Sequence, residues 1–160
     1  MTGKYPARTK SPGPGSQLKS SEYTIAEALK DNGYSTFIAG KWHLSRGKSG
    51  SSPEEQGFDQ NYGGGDSGVP KSYFYPYNIQ TRGRGNENAP DITKLPEVEK
   101  GYHLTDQLTD LTLDWIDKNY VSKKSKKPFF IYLSHYEVHT PFEGKLDLEE
   151  KYKAKAERLY

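Results

Sequence analysis

Apolar residues in this chain mark out two units of like order without sequence repeat, each a helix-spaced stripe followed by a compact apolar run. In the first unit Ile25 and Leu29 share one face behind Thr24-Ile25-Ala26-Glu27, a capping-box pattern, and Gly33 is placed to end the element in a left-handed turn. The spacing predicts a short helix over 24–32. Ser35-Thr36-Phe37-Ile38-Ala39 follows, bounded by Gly33 and Gly40, and reads as a buried strand. In the second unit Leu104, Leu108, Leu111 and Trp115 recur at helical spacing with Ile116 beside them, and Thr105 or Asp106 is available as the N-cap. Phe129-Phe130-Ile131-Tyr132-Leu133 then runs apolar without a break, the pattern of a strand covered on both faces. Helix followed by strand, twice, predicts an α/β fold.

The connecting stretches read differently. Residues 1–20 are rich in Lys, Pro, Gly and Ser and predict loop. From about Ser45 to Lys100 no period of 2 or 3.6 is sustained, and a loop of that length either lines a functional surface or packs on something outside the chain. The tail puts Leu148, Tyr152, Ala156 and Leu159 on one stripe, an amphipathic helix within 142–160 whose apolar face needs a partner. The chain therefore divides into loop 1–20, helix–strand unit 21–44, long loop 45–100, helix–strand unit 101–141 and terminal helix 142–160, all within one unit.

Composition narrows the chemistry. Its 23 basic and 21 acidic residues leave a net charge of +2, which excludes a long basic nucleic-acid tail. The absence of cysteine excludes a disulfide scaffold, a thiolate zinc site and a thiol nucleophile. Thirteen Tyr and two Trp add buriable area to a core otherwise thin in aliphatics. No segment is apolar for the roughly 18 residues a membrane span requires, and Met1-Thr2-Gly3-Lys4-Tyr5-Pro6 carries no signal-peptide core.

Candidate chemistry gathers just after the two strands. Gly40-Lys41-Trp42-His43 follows the first; if the backbone stays extended, Lys41 and His43 project from one face, a cation beside a titratable imidazole suited to an anionic substrate. Ser134-His135-Tyr136-Glu137-Val138-His139-Thr140-Pro141 follows the second. The His135/His139 spacing invites a helical zinc pair, but Tyr136 stands where that motif requires Glu, and Pro141 disfavours helix at Thr140. Ligand crevices of open α/β sheets lie beyond the strands' carboxyl ends, so His43, His135 and His139 point to one shared polar crevice, with His135 as the structural member. Tyr73, Phe74, Tyr75 and Tyr77 read first as aromatics pinning the long loop and second as a stacking platform for a sugar or nucleic acid. Arg82-Gly83-Arg84-Gly85 reads as solvated surface, Gly63-Gly64-Gly65 as turn chemistry, and Asp106 with Asp110 as solvated helical carboxylates rather than a metal pair.

Tyr34-Ser35-Thr36-Phe37-Ile38-Ala39-Gly40-Lys41-Trp42-His43-Leu44 closely resembles the second signature of the sulfatase family, hydrolases of sulfate esters that carry a formylglycine nucleophile. Thr2-Gly3-Lys4-Tyr5-Pro6-Ala7-Arg8, Gly57-Phe58-Asp59, Leu104-Thr105-Asp106 and the stretch from Pro128 to Pro141 resemble further family landmarks in the same order. Pro70-Lys71-Ser72-Tyr73-Phe74 is most similar to secreted bacterial members acting on polysaccharides. The resemblance implies a partial alkaline-phosphatase-like α/β sheet, a sulfated carbohydrate or aryl sulfate as substrate, and a periplasmic or extracellular location. It also implies catalytic and sulfate-contacting roles. Lys41 matches the lysine on the sulfate oxygens, His43 the histidine beside the formylglycine hydroxyls, and His139 the histidine near the leaving oxygen. The family's nucleophile motif would precede Thr2, and its calcium ligands lie outside 1–160. The chain therefore reads as an internal slice of a sulfatase domain, expected to derive from a truncated gene or gene model, to need the remainder of the domain and to lack turnover alone. A non-catalytic sulfated-glycan or anion-binding module is the alternative. A metal-dependent phosphodiesterase of the same superfamily is a third.

Overall fold

The computed structural model describes residues 1–10, 13, 16–45, 51–79 and 88–158. The Arg82-Gly83-Arg84-Gly85 run and Leu159 of the tail stripe lie outside them. The elements are α1 (Ile25–Asp31), β1 (Ser35–Gly40), β2 (Gln60–Tyr62), α2 (Leu104–Ile116), β3 (Phe129–Ser134) and α3 (Leu146–Glu157). They form the α/β fold expected, on a parallel sheet of order β2-β1-β3.

β1 is the central strand, with Phe37 opposite both Gln60 of β2 and Ile131 of β3. Alternation along it sends side chains to both faces, and each face has its own core. Phe37 and Ala39 pack with Tyr73, Tyr77, Leu104, Leu108 and Tyr136 beneath α2, while Ile38 packs with Leu18, Ala26, Trp42 and Phe58 on the α1 side. Burying Phe37, which is 0% exposed, contributes on the order of 1.5–3 kcal/mol. Trp115 of α2 lies over its ring at a centroid distance of 4.8 Å.

The capping box forms as the sequence indicates: Thr24 Oγ1 accepts from the Glu27 amide at 3.1 Å, and the Glu27 carboxylate accepts from the Thr24 amide at 2.7 Å. At α2 the cap differs from expectation. Neither Thr105 nor Asp106 is the N-cap; His103 is, and its Nδ1 accepts from the Thr105 amide at 3.4 Å. That bond assigns the ring proton to Nε2, which lies 3.3 Å from the Glu143 carbonyl oxygen and donates to it. A third strand also emerges from the stretch expected to be irregular, since three residues, Gln60–Tyr62, suffice to pair with β1. Such a strand is too short to show a period. The long loop otherwise packs on the chain's own core through Phe58, Tyr73, Tyr77 and Ile92.

Two apolar elements are less covered than their sequences suggest. β3 was expected to be covered on both faces, but it forms the sheet's outer strand, and Phe129 and Leu133 are 41% and 37% exposed. α3 buries none of its residues. The terminal helix thus forms, and its stripe meets no partner among the described residues.

Candidate functional site at the carboxyl end of the sheet

Because β1 and β3 run parallel, with Gly40 paired to Ser134, the chain leaves both strands at the same end of the sheet. The two exits are locked together. The Lys41 amide donates to the Ser134 carbonyl at 2.7 Å, and the Ser134 hydroxyl donates back to the Lys41 carbonyl at 2.5 Å. Only glycine fits at position 40: its φ is +102°, and a Cβ there would stand 1.9 Å from the Ser134 carbonyl oxygen.

Beyond Gly40 the chain leaves the strand, and of residues 41–43 only Trp42 is buried. It is 4% exposed, donates its indole N–H to the Ser51 carbonyl at 3.0 Å and meets Phe58 edge to face. Lys41 and His43 flank this anchor, both half-buried. His43 adopts a left-handed φ of +54°, and its amide donates to the Gly65 carbonyl at 3.0 Å. Its ring lies against Gly68, where an added Cβ would come within 2.3 Å of Cε1.

From β3 the chain runs through His135 and Tyr136 to His139. Tyr136 is buried and donates its hydroxyl to the Gly63 carbonyl at 2.8 Å, tying this turn to the glycine loop that supports His43. The Tyr73 hydroxyl lies 2.9 Å from the Tyr136 carbonyl and 3.1 Å from the His139 carbonyl, donating between them. Tyr73 is itself held by Glu143, whose carboxylate accepts from the Tyr73 amide at 2.7 Å and the Ser72 hydroxyl at 2.9 Å. Burial raises the phenol pKa of both Tyr73 and Tyr136, so each stays a neutral donor. The His139 side chain is exposed, with Nδ1 3.2 Å from the Thr140 hydroxyl.

Electrostatics link the three candidates. The His43 pKa lies below the ordinary imidazole value, first because of burial and then because the charges of Lys41 and His139 repel a proton there; Asp66 partly opposes this. Lys41 is also lowered, by desolvation. His135 is not the satisfied structural histidine expected, since its buried Nδ1 has no hydrogen-bond partner among the described residues. His135 and His139 do not form a helical pair. Asp106 and Asp110 are taken by Lys145 and the Tyr102 hydroxyl respectively. Among the described residues no group of three or more His, Asp or Glu could hold a metal ion, so the calcium implied by resemblance finds no ligand set here.

The sulfatase family model matches residues 1–159. The chain belongs to the sulfatase family. An arylsulfatase of the sea urchin Hemicentrotus pulcherrimus is 30% identical over 88% of this chain and 27% of its own length. The mouse N-acetylgalactosamine-6-sulfatase is 29% identical over 78% and 24%. The sulfatase segment thus spans about a quarter of these relatives' length. The crystal structure of Ps i-CgsB superposes with a TM-score of 0.65 at 25% identity, covering 96% of this chain and 36% of that one. The PsFucS1 sulfatase of Pseudoalteromonas sp. shares the fold at a TM-score of 0.55 and 22% identity, over 88% and 33%. The architecture is that of the alkaline-phosphatase-like sulfatases.

Sequence reasoning missed three supports of this site: Gly68, Tyr73 as a clamp on the His139 turn, and Glu143. Only Tyr73 carried a signal, as part of an aromatic run read chiefly as loop packing, which is how its ring behaves while its hydroxyl does more.

Proposed function

We propose that this segment forms the anion-binding wall of a sulfate-ester hydrolase acting on a sulfated glycan in the periplasm or outside the cell. The observation that supports it is the shared exit of β1 and β3, where the paired Lys41 and Ser134 hold the segment bearing Lys41 and His43 beside the one leading to His139; the lowered His43 pKa accords with positive charge nearby. Partly desolvated cations interact more strongly with an oxyanion than fully hydrated ones do. Lys41 takes the sulfate oxygens. His43, held neutral near pH 7 by its lowered pKa, accepts a proton as sulfate is released. The exposed His139 donates a hydrogen bond or proton to the bridging oxygen of the leaving alcohol. Formylglycine and calcium would supply the nucleophile and further charge neutralisation in a whole domain.

The names of the relatives support a galactose-type sulfated sugar as substrate, since one is an N-acetylgalactosamine-6-O-sulfatase of Bacteroides thetaiotaomicron, 25% identical over 88% of this chain and 38% of its own length. The alternative reading is capture of a sulfated sugar without turnover, which needs a cation at Lys41 but no nucleophile. Calorimetric titration with N-acetylgalactosamine 6-sulfate, against the unsulfated sugar, tests the capture. Binding of the sulfated form that Lys41→Ala weakens about tenfold is expected. In a complete sulfatase domain carrying these residues, the same substitution lowers turnover of 4-methylumbelliferyl sulfate by two to three decades, roughly the effect of losing one oxyanion-stabilising group. Unchanged kinetics removes Lys41 from the site.

A further inference from the structure

Two carboxylates in this chain are only half satisfied inside the fold. Glu143, 9% exposed, accepts through Oε2 from the Ser72 hydroxyl and the Tyr73 amide, yet its buried Oε1 has no hydrogen-bond partner among the described residues. Glu137 repeats the arrangement: Oε1 accepts from the Thr105 hydroxyl, while the buried Oε2 has no partner there. Both side chains line one cavity of about 470 Å³. Neither enters an ion pair among the described residues.

The basic groups on the same walls are already engaged. Lys145 is paired with Asp106, and the two His103 ring nitrogens are taken by the Thr105 amide and the Glu143 carbonyl. His139 is exposed, with Nδ1 against Thr140. A carboxylate oxygen removed from water without a donor is costly, and buried ionised groups are tolerated when a cation neutralises them. The cavity therefore calls for positive charge. Its walls decide which kind. A calcium ion takes roughly six to eight oxygen ligands, whereas this cavity sets two unpartnered carboxylate oxygens beside Val138, Pro141, Phe142 and Leu148. An alkyl stem carrying a guanidinium or ammonium matches both features, since the stem packs on apolar side chains while the head bonds to carboxylates. Val138 and Phe142 also stand 87% and 79% exposed, an apolar edge that a single small amine would leave wet.

We propose that this cavity receives a lysine or arginine side chain from the part of a sulfatase domain outside these 160 residues, whose apolar surface covers Val138 and Phe142. The segment spans about a quarter of its relatives' length, so most of such a domain remains to supply that side chain. Neither Lys41 nor the sulfate-ester reading enters this assignment. The probes are n-butylguanidinium and n-butylammonium chloride, added to the 160-residue chain and followed by amide chemical shifts. Saturable shifts at Tyr73 and Gly144 are expected for at least one, with a dissociation constant on the order of millimolar, and none for n-butanol. Glu143→Gln keeps an acceptor for Ser72 and Tyr73 while removing the charge, and weakens this binding about tenfold. Glu137→Gln does so without touching the bonds to Ser72 and Tyr73, which keeps the test open should Glu143→Gln fail to fold. Lys41→Ala leaves the binding unchanged. A complete sulfatase domain carrying these residues is expected to exclude both probes, its own side chain filling the cavity. No saturable shift, shifts that survive both glutamine variants, or binding of calcium chloride where the organic cations do not bind, overturns the proposal. Equal uptake of the probes by the complete domain overturns it by assigning the cavity to a free ligand. A dimer of the 160-residue chain in sedimentation velocity that Glu137→Gln dissociates overturns it by assigning the cavity to a second copy.

Discussion

Lys41 and Ser134 are bonded in both directions, amide to carbonyl at 2.7 Å and hydroxyl to carbonyl at 2.5 Å, across the ends of two parallel strands. This reciprocal pair fixes the spacing between the turn that carries Lys41 and His43 and the turn that carries His139. Ser134→Ala removes one bond and leaves the Lys41 carbonyl short of a partner, so a loss of about 1–2 kcal/mol is expected from urea melts. Gly40→Ala is far worse. Its Cβ would overlap the Ser134 carbonyl at a left-handed φ, and a loss of about 3 kcal/mol or more is expected, with the Lys41–Ser134 pair broken. Equal stabilities for the two variants would remove the lock.

His43 gives a pH signature. Its folded pKa lies below the ordinary 6.5, so between the two values the unfolded chain binds more protons than the folded one. The His43 contribution to stability is therefore complete above pH 6.5 and is lost as pH falls through the depressed value. Histidine Cε1–H resonances followed by NMR should place the His43 midpoint below 6.5. In Lys41→Met the midpoint rises, though not fully, because burial is the larger cause and remains. A bound sulfate reverses the repulsion and raises the same pKa, so affinity for a sulfated sugar strengthens as pH drops across that window. Affinity that is flat in pH, with an unmoved His43 midpoint, would separate this histidine from the anion.

How much of this was legible in advance follows from the range of the forces involved. The α1 capping box, β1, the α2 stripe and β3 rest on local patterning, and they form within a residue or two of expectation. That both strands run parallel and deliver their exits to one end is what helix-then-strand connectivity implies. The failures are non-local. β2 was missed because three residues cannot display a period. Trp42 is anchored through a bond to Ser51 and a contact with Phe58, neither of which local spacing encodes. His103 caps α2 because Tyr73 stacks on its ring and Glu143 takes its other nitrogen, so partners 30 and 40 residues away select it over the better intrinsic caps beside it.

Gly68 makes a prediction that turn propensity does not. Nothing in its φ requires glycine; the requirement is the imidazole of His43 pressed against its Cα. Gly68→Ala displaces that ring toward solvent. The expected result is a small stability change with a rise in the His43 midpoint, since burial is the first cause of its depression. A fold lost outright, or a midpoint identical to that of the parent, would contradict this placement.

Tyr73 joins the aromatic run to the His139 turn. Tyr73→Phe keeps the buried ring and deletes the hydroxyl that serves the carbonyls of Tyr136 and His139. About 1–2 kcal/mol of stability is expected to go. In a complete sulfatase domain kcat should fall several-fold with KM for an aryl sulfate little changed, because the variant disturbs the position of a leaving-group donor rather than the sulfate-binding lysine. Loss of stability with kcat intact would make Tyr73 purely a core residue.

α3 is stabilised differently from α1 and α2. Its 12 residues include no buried side chain, with Leu146, Leu148 and Tyr152 at 59%, 43% and 58% exposure. Helices of this length are marginal in water when no face is packed. Its contacts to the rest of the fold sit at its first turn: Lys145 pairs with Asp106 of α2, and the Glu149 carboxylate accepts from the Gly144 amide at 3.2 Å; further along, Lys151 and Lys155 lie over the Tyr152 ring within the helix itself. α2, by contrast, sets Leu104 and Leu108 at 0% exposure against β1. Amide hydrogen exchange of the 160-residue chain should therefore report α2 amides exchanging only through global unfolding and α3 amides exchanging near the free-peptide rate, with protection fading from Glu149 toward Glu157. Asp106→Asn removes the ion pair and is expected to melt the first turn of α3 while leaving α2 protection unchanged. If α3 proves as protected as α2 in a dilute, monomeric sample, its apolar stripe is covered by something, and the exposed surface of α3 described above is not the one present in solution.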